Sequence, residues 1–211
     1  MNIGICGGTF DPFHRGHLDP ILAVRGELQW DRVLYIPAFV QPFKQDRETA
    51  SGYHRYAMTV IATMSFDDLV ASSMELERGA VSYTVDTLRQ LRGEDPDATF
   101  DWIIGDDNLP KLGEWRSLDE IFELANFVVL TRGSQEVPAA LRDRVAGMRA
   151  RPDHGAIVFA ENATVPVSST EIRRRIRAGE PIGDLVPPPV SHYIHQYDLY
   201  RNHEHDRKGQ S

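Results

Sequence analysis

The sequence of 211 residues contains a single cysteine, Cys6, and no apolar run that approaches the length of a membrane span. One cysteine cannot form an internal disulfide, which excludes the disulfide-stapled class of small secreted proteins. A membrane-spanning helix needs about 18 consecutive apolar residues. The first eight residues also lack the basic and apolar regions of a secretory signal peptide. These absences predict a cytoplasmic protein without a membrane partner.

Basic residues are in the minority, because 23 lysines and arginines stand against 31 aspartates and glutamates, a net charge of −8. An acidic surplus repels nucleic acid and anionic lipid, so no nucleic-acid partner is expected and any phosphate site must be local. The length and ordinary composition predict one domain over residues 1–200. Residues 164–200 are expected to form its C-terminal helical part, and 201–211 a disordered tail.

Short β-branched runs alternate with longer amphipathic segments along the chain. The runs predict strands at residues 2–6, 32–37, 69–74, 99–105, 127–131 and 156–160. The amphipathic segments predict helices at residues 16–28, 53–64, 84–91, 118–124, 139–148 and 190–197. This alternation predicts a doubly wound, Rossmann-like α/β fold, with helices on both faces of a parallel sheet. Ligands of such sheets bind beyond the carboxyl ends of the strands.

The first loop, residues 7–17, reads GGTFDPFHRGH and lies between a predicted strand and helix. Gly7 and Gly8 allow close approach to a ligand, and the helix N-terminus attracts an anion. The Walker and GxGxxG patterns are both absent from it. A helix that begins between His14 and His17 places both imidazoles at its positive end, where each can donate to a phosphate oxygen. Spacing alone leaves structural histidines as an alternative, and a zinc site lacks a third ligand at suitable spacing.

Residues 167–173 read VSSTEIR. Ser168 and Glu171 have the spacing of a capping box, which predicts a helix N-terminus. Arg173 lies in the first turn of this helix, and we interpret it as a phosphate-binding residue. The arginines that follow are assigned to a solvated basic face.

The segment SYTVDTL occupies residues 82–88. The segment IGDDNL occupies residues 104–109, at the start of the predicted loop that runs from residue 105 to Trp115. An indole supplies the rigid apolar face that a flat aromatic ring needs. An ordinary core role is the alternative for Trp115. Asp107 is suited to hydrogen bonds with ribose hydroxyls, and Asp106 is assigned to the surface.

The first loop resembles the signature of the nucleotidyltransferase α/β-phosphodiesterase superfamily. The segments SYTVDTL, IGDDNL and VSSTEIR are similar to motifs of its nicotinate-nucleotide adenylyltransferase branch. The resemblance extends from residue 2 to about residue 200. It implies transfer of the adenylyl group of ATP to nicotinate mononucleotide, which yields nicotinate adenine dinucleotide and pyrophosphate, with Mg²⁺ accompanying ATP.

The resemblance also implies roles for individual residues. The catalytic set would be His14, His17, Lys44 and Arg173. The ATP-binding set would be Gly7, Gly8, Thr9, Phe10, His14, His17, Gly105, Asp107, Ser168, Ser169 and Arg173. The set that binds nicotinate mononucleotide would be Thr9, Lys44, Tyr83, Thr84, Trp115 and Arg132. No metal ligand is assigned, and Phe43 stands where the family usually has a histidine before the lysine.

Three alternatives to this function stay open. The sequence does not separate the acid mononucleotide from the amide, so a nicotinamide-mononucleotide adenylyltransferase is the nearest. A phosphopantetheine adenylyltransferase is expected to lack SYTVDTL and the segment around Trp115. A non-catalytic nucleotide-binding regulator is disfavoured because both histidines and Arg173 are present. The oligomeric state is also open, and a homo-oligomer is compatible with the sequence.

Overall fold

The protein has the doubly wound parallel sheet that the alternating pattern predicts. The computed structural model describes residues 1–42, 49–131, 139–140, 142–143, 155–161 and 166–201. In this part of the chain the strands are β1 (Asn2–Gly8), β2 (Arg32–Pro37), β3 (Leu69–Ala71), β4 (Thr99–Gly105), β5 (Asn126–Thr131) and β6 (Ile157–Glu161). They are ordered β3-β2-β1-β4-β5-β6, and all neighbours pair in parallel.

Helices connect the strands. They are α1 (Arg15–Val24), α2 (Gly52–Thr63), α3 (Met74–Arg78), α4 (Thr84–Glu94), α5 (Leu118–Leu124), α6 (Ser169–Ala178) and α7 (Pro188–Gln196), with a 3-10 helix at Asp106–Glu114. Of the helices in the described ranges, none has the length and apolar character needed to cross a membrane.

The sheet is covered on both faces, as its near-continuous apolar strands predict. On β4, Trp102 and Ile104 belong to one apolar cluster and Ile103 belongs to the other. On β5, Phe127 and Val128 divide in the same way. Residues of α4 and α5 complete the first cluster, and residues of α1, α2, α6 and α7 complete the second.

Several predicted boundaries were wrong. The strand predicted over residues 69–74 ends at Ala71, and α3 begins at Met74, which turns Met74 and Glu75 into the interior. The last helix begins at Pro188, not after the prolines, because a missing N–H and a fixed φ suit the first turn of a helix. The predicted helix over 139–148 falls mostly outside the described residues, as does the predicted tail beyond residue 201.

The order of the strands positions the site. The chain adds β2 and β3 on one side of β1 and then crosses to add β4, β5 and β6 on the other. The carboxyl ends of β1 and β4 are therefore neighbours whose loops leave in opposite directions. Such a switch point opens a crevice in doubly wound folds, and here Gly7, Gly8 and Gly105 lie at its edge.

Candidate active site

A cavity of about 520 Å³ lies at the carboxyl ends of β1 and β4. Its wall includes many of the predicted site residues, namely Gly7, Gly8, Thr9, Phe10, His17, Tyr83, Thr84, Gly105, Asp107, Trp115 and Ser169. The wall does not include His14, Ser168 or Arg173. Lys44, Phe43 and Arg132 lie outside the described residues. The fold thus brings distant segments to one cavity of the size typical of small-molecule sites.

His14 and His17 are held together at the start of α1, which begins at Arg15 between them. Their rings stack with centroids 3.6 Å apart and planes 18° apart. The backbone N–H of His14 donates to Nδ1 of His17 over 3.2 Å. Because a backbone N–H can only donate, neutral His17 carries its proton on Nε2. The ring in the cavity wall is therefore a hydrogen-bond donor suited to a phosphate oxygen.

The two histidines do not form part of a metal cluster in the described ranges, where no group of three His, Cys, Asp or Glu side chains could hold an ion. A structural role accounts for part of their geometry, since His14 is buried. His17 in contrast lines the cavity. The pair thus combines a buried support and a cavity-facing donor.

Phe10 supports His17 from within the first loop. Its φ of 52° lies in the left-handed region that a residue with a side chain rarely adopts. The buried ring packs against Phe13 and Tyr35 and meets the His17 ring edge-on, with centroids 4.9 Å apart. Burial of this aromatic ring offsets the backbone strain, which is a cost of about 1–3 kcal/mol.

Arg55 is the main residue of this region that the sequence did not reveal. Its side chain is buried on α2 and donates to the carbonyls of Thr9 (2.8 Å), Ala38 (2.7 Å) and Ala50 (3.0 Å). Burial lowers the pKa of the guanidinium, and the nearby Asp11 acts in the opposite direction. One arginine therefore joins the first loop to the loop after β2.

Asp11, a residue of the first loop, is a second connection between this loop and distant parts of the chain. The carboxylate is buried, and its Oδ1 accepts hydrogen bonds from the Tyr200 hydroxyl (2.7 Å) and the Ala50 N–H (3.1 Å). Nη1 of Arg173 donates to the Asp11 carbonyl and lies 3.5 Å from Oδ2. Burial and the charge of Asp11 raise the pKa of Tyr200. Arg173, predicted as a phosphate ligand, is thus tied to the first loop through Asp11.

The N-terminus of α6 begins as its sequence predicts. The Ser168 hydroxyl accepts the N–H of Glu171 over 3.2 Å, and the Ser169 hydroxyl donates to the Pro12 carbonyl over 3.2 Å. The Glu171 side chain binds Arg174 and Arg175, and these bonds lower the pKa of Glu171 to about 2. Arg174 and Arg175 of the predicted basic face are therefore paired with acidic neighbours.

At the other end of the cavity, Tyr83 and Thr84 begin α4 and lie in the wall with Trp115. The indole meets Phe127 edge-on in the core, with centroids 5.8 Å apart. Trp115 is therefore both a core residue and a cavity residue. The Cζ atom of Arg116 lies 4.7 Å from the centroid of the Tyr83 ring. Arg116 also lines the cavity, although the sequence did not single it out.

Glu75 of α3 is a buried carboxyl in the same wall. The Thr87 hydroxyl donates to its Oε1 over 2.5 Å. Burial raises the pKa of Glu75, and the hydrogen bonds from Thr87 and Ser82 oppose that shift. The Ser82 hydroxyl accepts the N–H of Phe39 over 3.0 Å. Glu75 thus holds the segment that contains Tyr83, and no pattern in the sequence indicated it.

The two aspartates after β4 are placed differently from each other. Asp107 is exposed at the cavity wall, where a Cβ on Gly105 would strike its carboxylate. Asp106 is buried, so its assignment to the surface was wrong. The buried side chain faces inward because these residues begin a 3-10 helix, where the sequence predicted an open loop.

The chain is similar to a known protein family and to named proteins over most of its length. The cytidylyltransferase-like family model matches residues 5–175. A probable nicotinate-nucleotide adenylyltransferase of Nocardioides sp. is 41% identical over 194 residues, which are 92% of this chain and 91% of the relative. A protein of the same name from Thermoanaerobacter sp. is 37% identical over 212 residues, 97% and 96% of the two chains. The chain belongs to the nicotinate-nucleotide adenylyltransferase family.

Solved structures share the fold of this family member. The nicotinic acid mononucleotide adenylyltransferase of Plasmodium falciparum complexed with APC has a TM-score of 0.73 at 18% identity, over 94% of this chain and 96% of that chain. The same enzyme complexed with NaAD has a TM-score of 0.73 at 20% identity, over 94% and 97%. At identities this low, the structural likeness shows the common fold alone.

Proposed function

We propose that the protein transfers the adenylyl group of ATP to nicotinate mononucleotide, forming nicotinate adenine dinucleotide and pyrophosphate. One observation carries the proposal: a single cavity joins a glycine- and histidine-containing loop at a helix N-terminus to an aromatic wall of Tyr83 and Trp115. We call these the phosphate end (the first loop) and the pyridine end (Tyr83, Thr84, Trp115 and Arg116). The relatives at 37–41% identity bear the name of this activity.

The reaction needs no protein nucleophile. A phosphate oxygen of the mononucleotide attacks the α-phosphorus of ATP in line, and the bond from that phosphorus to the bridging oxygen breaks as pyrophosphate leaves. The attacking phosphate is already an anion, so catalysis consists of orientation and charge neutralisation. His17, with a proton on Nε2, and the first N–H groups of α1 are donors of the kind this chemistry requires.

We assign the remaining roles on the same basis. Gly7, Gly8, Thr9 and Phe10 present the backbone of the first loop to ATP, and Asp107 and Gly105 accommodate its ribose. His14 supports His17, and Ser168, Ser169 and Arg173 bring the N-terminus of α6 to the ATP phosphates. Tyr83, Thr84 and Trp115 hold the pyridine ring. Lys44 and Arg132, outside the described residues, remain proposed contacts to the mononucleotide.

We propose that ATP is bound as its magnesium complex. Carboxylates in the described wall are dispersed among Glu75, Asp107 and Glu114, and they form no cluster with a third ligand in these ranges. This donor set fits an ion that is held by the phosphates and water. The magnesium ion would neutralise phosphate charge during the displacement.

Pyrophosphate release tests the activity directly. The purified protein is supplied with MgATP and, in separate reactions, nicotinate mononucleotide, nicotinamide mononucleotide and phosphopantetheine. We expect turnover with nicotinate mononucleotide and the highest kcat/KM for it. Turnover with phosphopantetheine alone would assign a different acceptor. Binding of ATP without turnover of any acceptor would instead support a non-catalytic nucleotide-binding regulator.

A further inference from the structure

Arg116 lies at the pyridine end, where its positive charge can distinguish a pyridine ring that carries a carboxylate from one that carries a neutral amide. It follows Trp115, and Ser117 after it has a left-handed backbone with φ of 53°. The guanidinium covers the Tyr83 ring at 4.7 Å, and its side chain is 56% exposed. Of the described residues that line the cavity, Arg116 is the only arginine or lysine. A cation is therefore part of the pyridine end.

The neighbouring charges leave this cation available for a second anion. Nη1 of Arg116 lies 3.8 Å from Oδ2 of Asp86. The Asp86 carboxylate is also bound by Arg89, at the shorter distance of 2.9 Å. The carboxylates that share the cavity wall are Glu75, Asp107 and Glu114. Glu75 is buried, which favours its neutral form and weakens its competition for Arg116.

The acid and amide mononucleotides differ in the group that such a cation recognises. A carboxylate accepts two parallel hydrogen bonds from a guanidinium, whereas a carboxamide has one acceptor oxygen and presents an NH₂ that donates. Contact with the Tyr83 ring restricts the guanidinium and so reduces the ordering cost of a paired contact. The geometry therefore favours the acid.

We infer that Arg116 is a specificity-determining residue, which selects nicotinate mononucleotide over the amide by pairing with the pyridine carboxylate. The inference rests on the proposed function. It goes beyond that function because it assigns the choice of substrate to one side chain. The partial exposure of Arg116 limits the effect, so we expect a contribution of about 10-fold in kcat/KM.

The test compares Arg116→Gln with a matched control, Arg89→Gln. Both substitutions remove a cationic partner of Asp86, but only Arg116 lines the cavity. The full-length variants are assayed with saturating MgATP and either the acid or the amide mononucleotide. Arg116→Gln should lower kcat/KM about 10-fold for the acid and far less for the amide, whereas Arg89→Gln should preserve the wild-type ratio. Added salt should reduce the acid preference of the wild type more than that of Arg116→Gln.

Three results would overturn the inference while leaving the proposed function intact. They are an unchanged acid-to-amide ratio in Arg116→Gln, an equal loss with both substrates, and the same change of ratio in Arg89→Gln. If the wild type turned over neither mononucleotide, the proposed function itself would fail, and the assignment of Arg116 with it.

Discussion

The two ends of the cavity are built in different ways. At the phosphate end, buried polar groups fix the first loop: Arg55 on α2 donates to the Thr9 carbonyl, and Asp11 connects the loop to Arg173 and Tyr200. At the pyridine end, Arg116 is half exposed, and Trp115 presents one side to the cavity and the other to the core. The transfer step is the same for the acid and the amide mononucleotide, and it requires fixed positions for the reacting phosphates at the phosphate end. The choice between the two mononucleotides can depend on a few side chains at the pyridine end.

The largest effect at the phosphate end is expected from substitution of His17. We expect His17→Ala to lower kcat by about 100- to 1,000-fold, because it removes a donor aimed at developing charge. The variant should stay folded with a lower thermal unfolding midpoint, because the N–H of His14 loses its acceptor at the start of α1. His54→Ala is the matched control: His54 bonds to Tyr193 on α7 and is absent from the wall. A His17→Ala variant that is folded and fully active would remove the phosphate end from the mechanism.

Arg55 tests whether the rigidity of the phosphate end depends on buried contacts. Arg55→Met keeps the apolar stem but leaves the carbonyls of Thr9, Ala38 and Ala50 without this donor. We expect a loss of about 3 kcal/mol in the free energy of unfolding, measured by urea titration. Arg89→Gln, which removes the exposed ion pairs with Asp86 and Glu120, should cost less than Arg55→Met. Equal losses of unfolding free energy in the two variants would show that the buried contacts of Arg55 do not stabilise the phosphate end.

A smaller effect is expected from Tyr200. Tyr200→Phe removes the hydroxyl that donates to Asp11 over 2.7 Å, a bond to a charged acceptor. We expect a loss of about 1.5 kcal/mol in unfolding free energy. The more exposed bond of Tyr193 to His54 gives the comparison, and Tyr193→Phe should lose about 0.5 kcal/mol. The reverse order would show that the C-terminal segment does not brace the first loop.

The smallest predicted effect is a pH dependence at the pyridine end. Burial raises the pKa of Glu75 above its ordinary 4.5, so the folded state holds this proton more tightly than the unfolded state. The resulting stability is fully present below pH 4.5 and is lost as the pH rises through the folded-state pKa. Glu75→Gln should therefore reduce the fall in unfolding free energy as the pH rises above 4.5, measured by urea titration. A steeper fall in the variant would contradict the assignment.

Local patterns in the sequence were sufficient to predict the strands and helix starts that carry the site. Strands β1, β2, β4 and β5 follow from apolar runs, and the start of α1 between His14 and His17 follows from the amphipathic segment predicted over residues 16–28. The cap at Ser168 follows from its own hydroxyl. Each of these features depends on residues within about one turn or one strand, where propensity and periodicity act.

The residues that the sequence did not reveal depend on long-range contacts. Arg55 occurs in an amphipathic helix, where an arginine usually faces water, and its burial follows only from carbonyls of two distant loops. Glu75 belongs to a five-residue helix that is too short to show a period. In both cases tertiary packing overrides the local preference.

The bond between Asp11 and Tyr200 joins residues that are 189 positions apart. A contact of such sequence separation closes a very long chain loop and belongs to the slow, non-local class of folding events. During synthesis, the first loop leaves the ribosome early but cannot obtain this bond until residue 200 has followed it. The phosphate end, which precedes Tyr200 by 189 positions at Asp11, is therefore among the last parts of the protein to be completed.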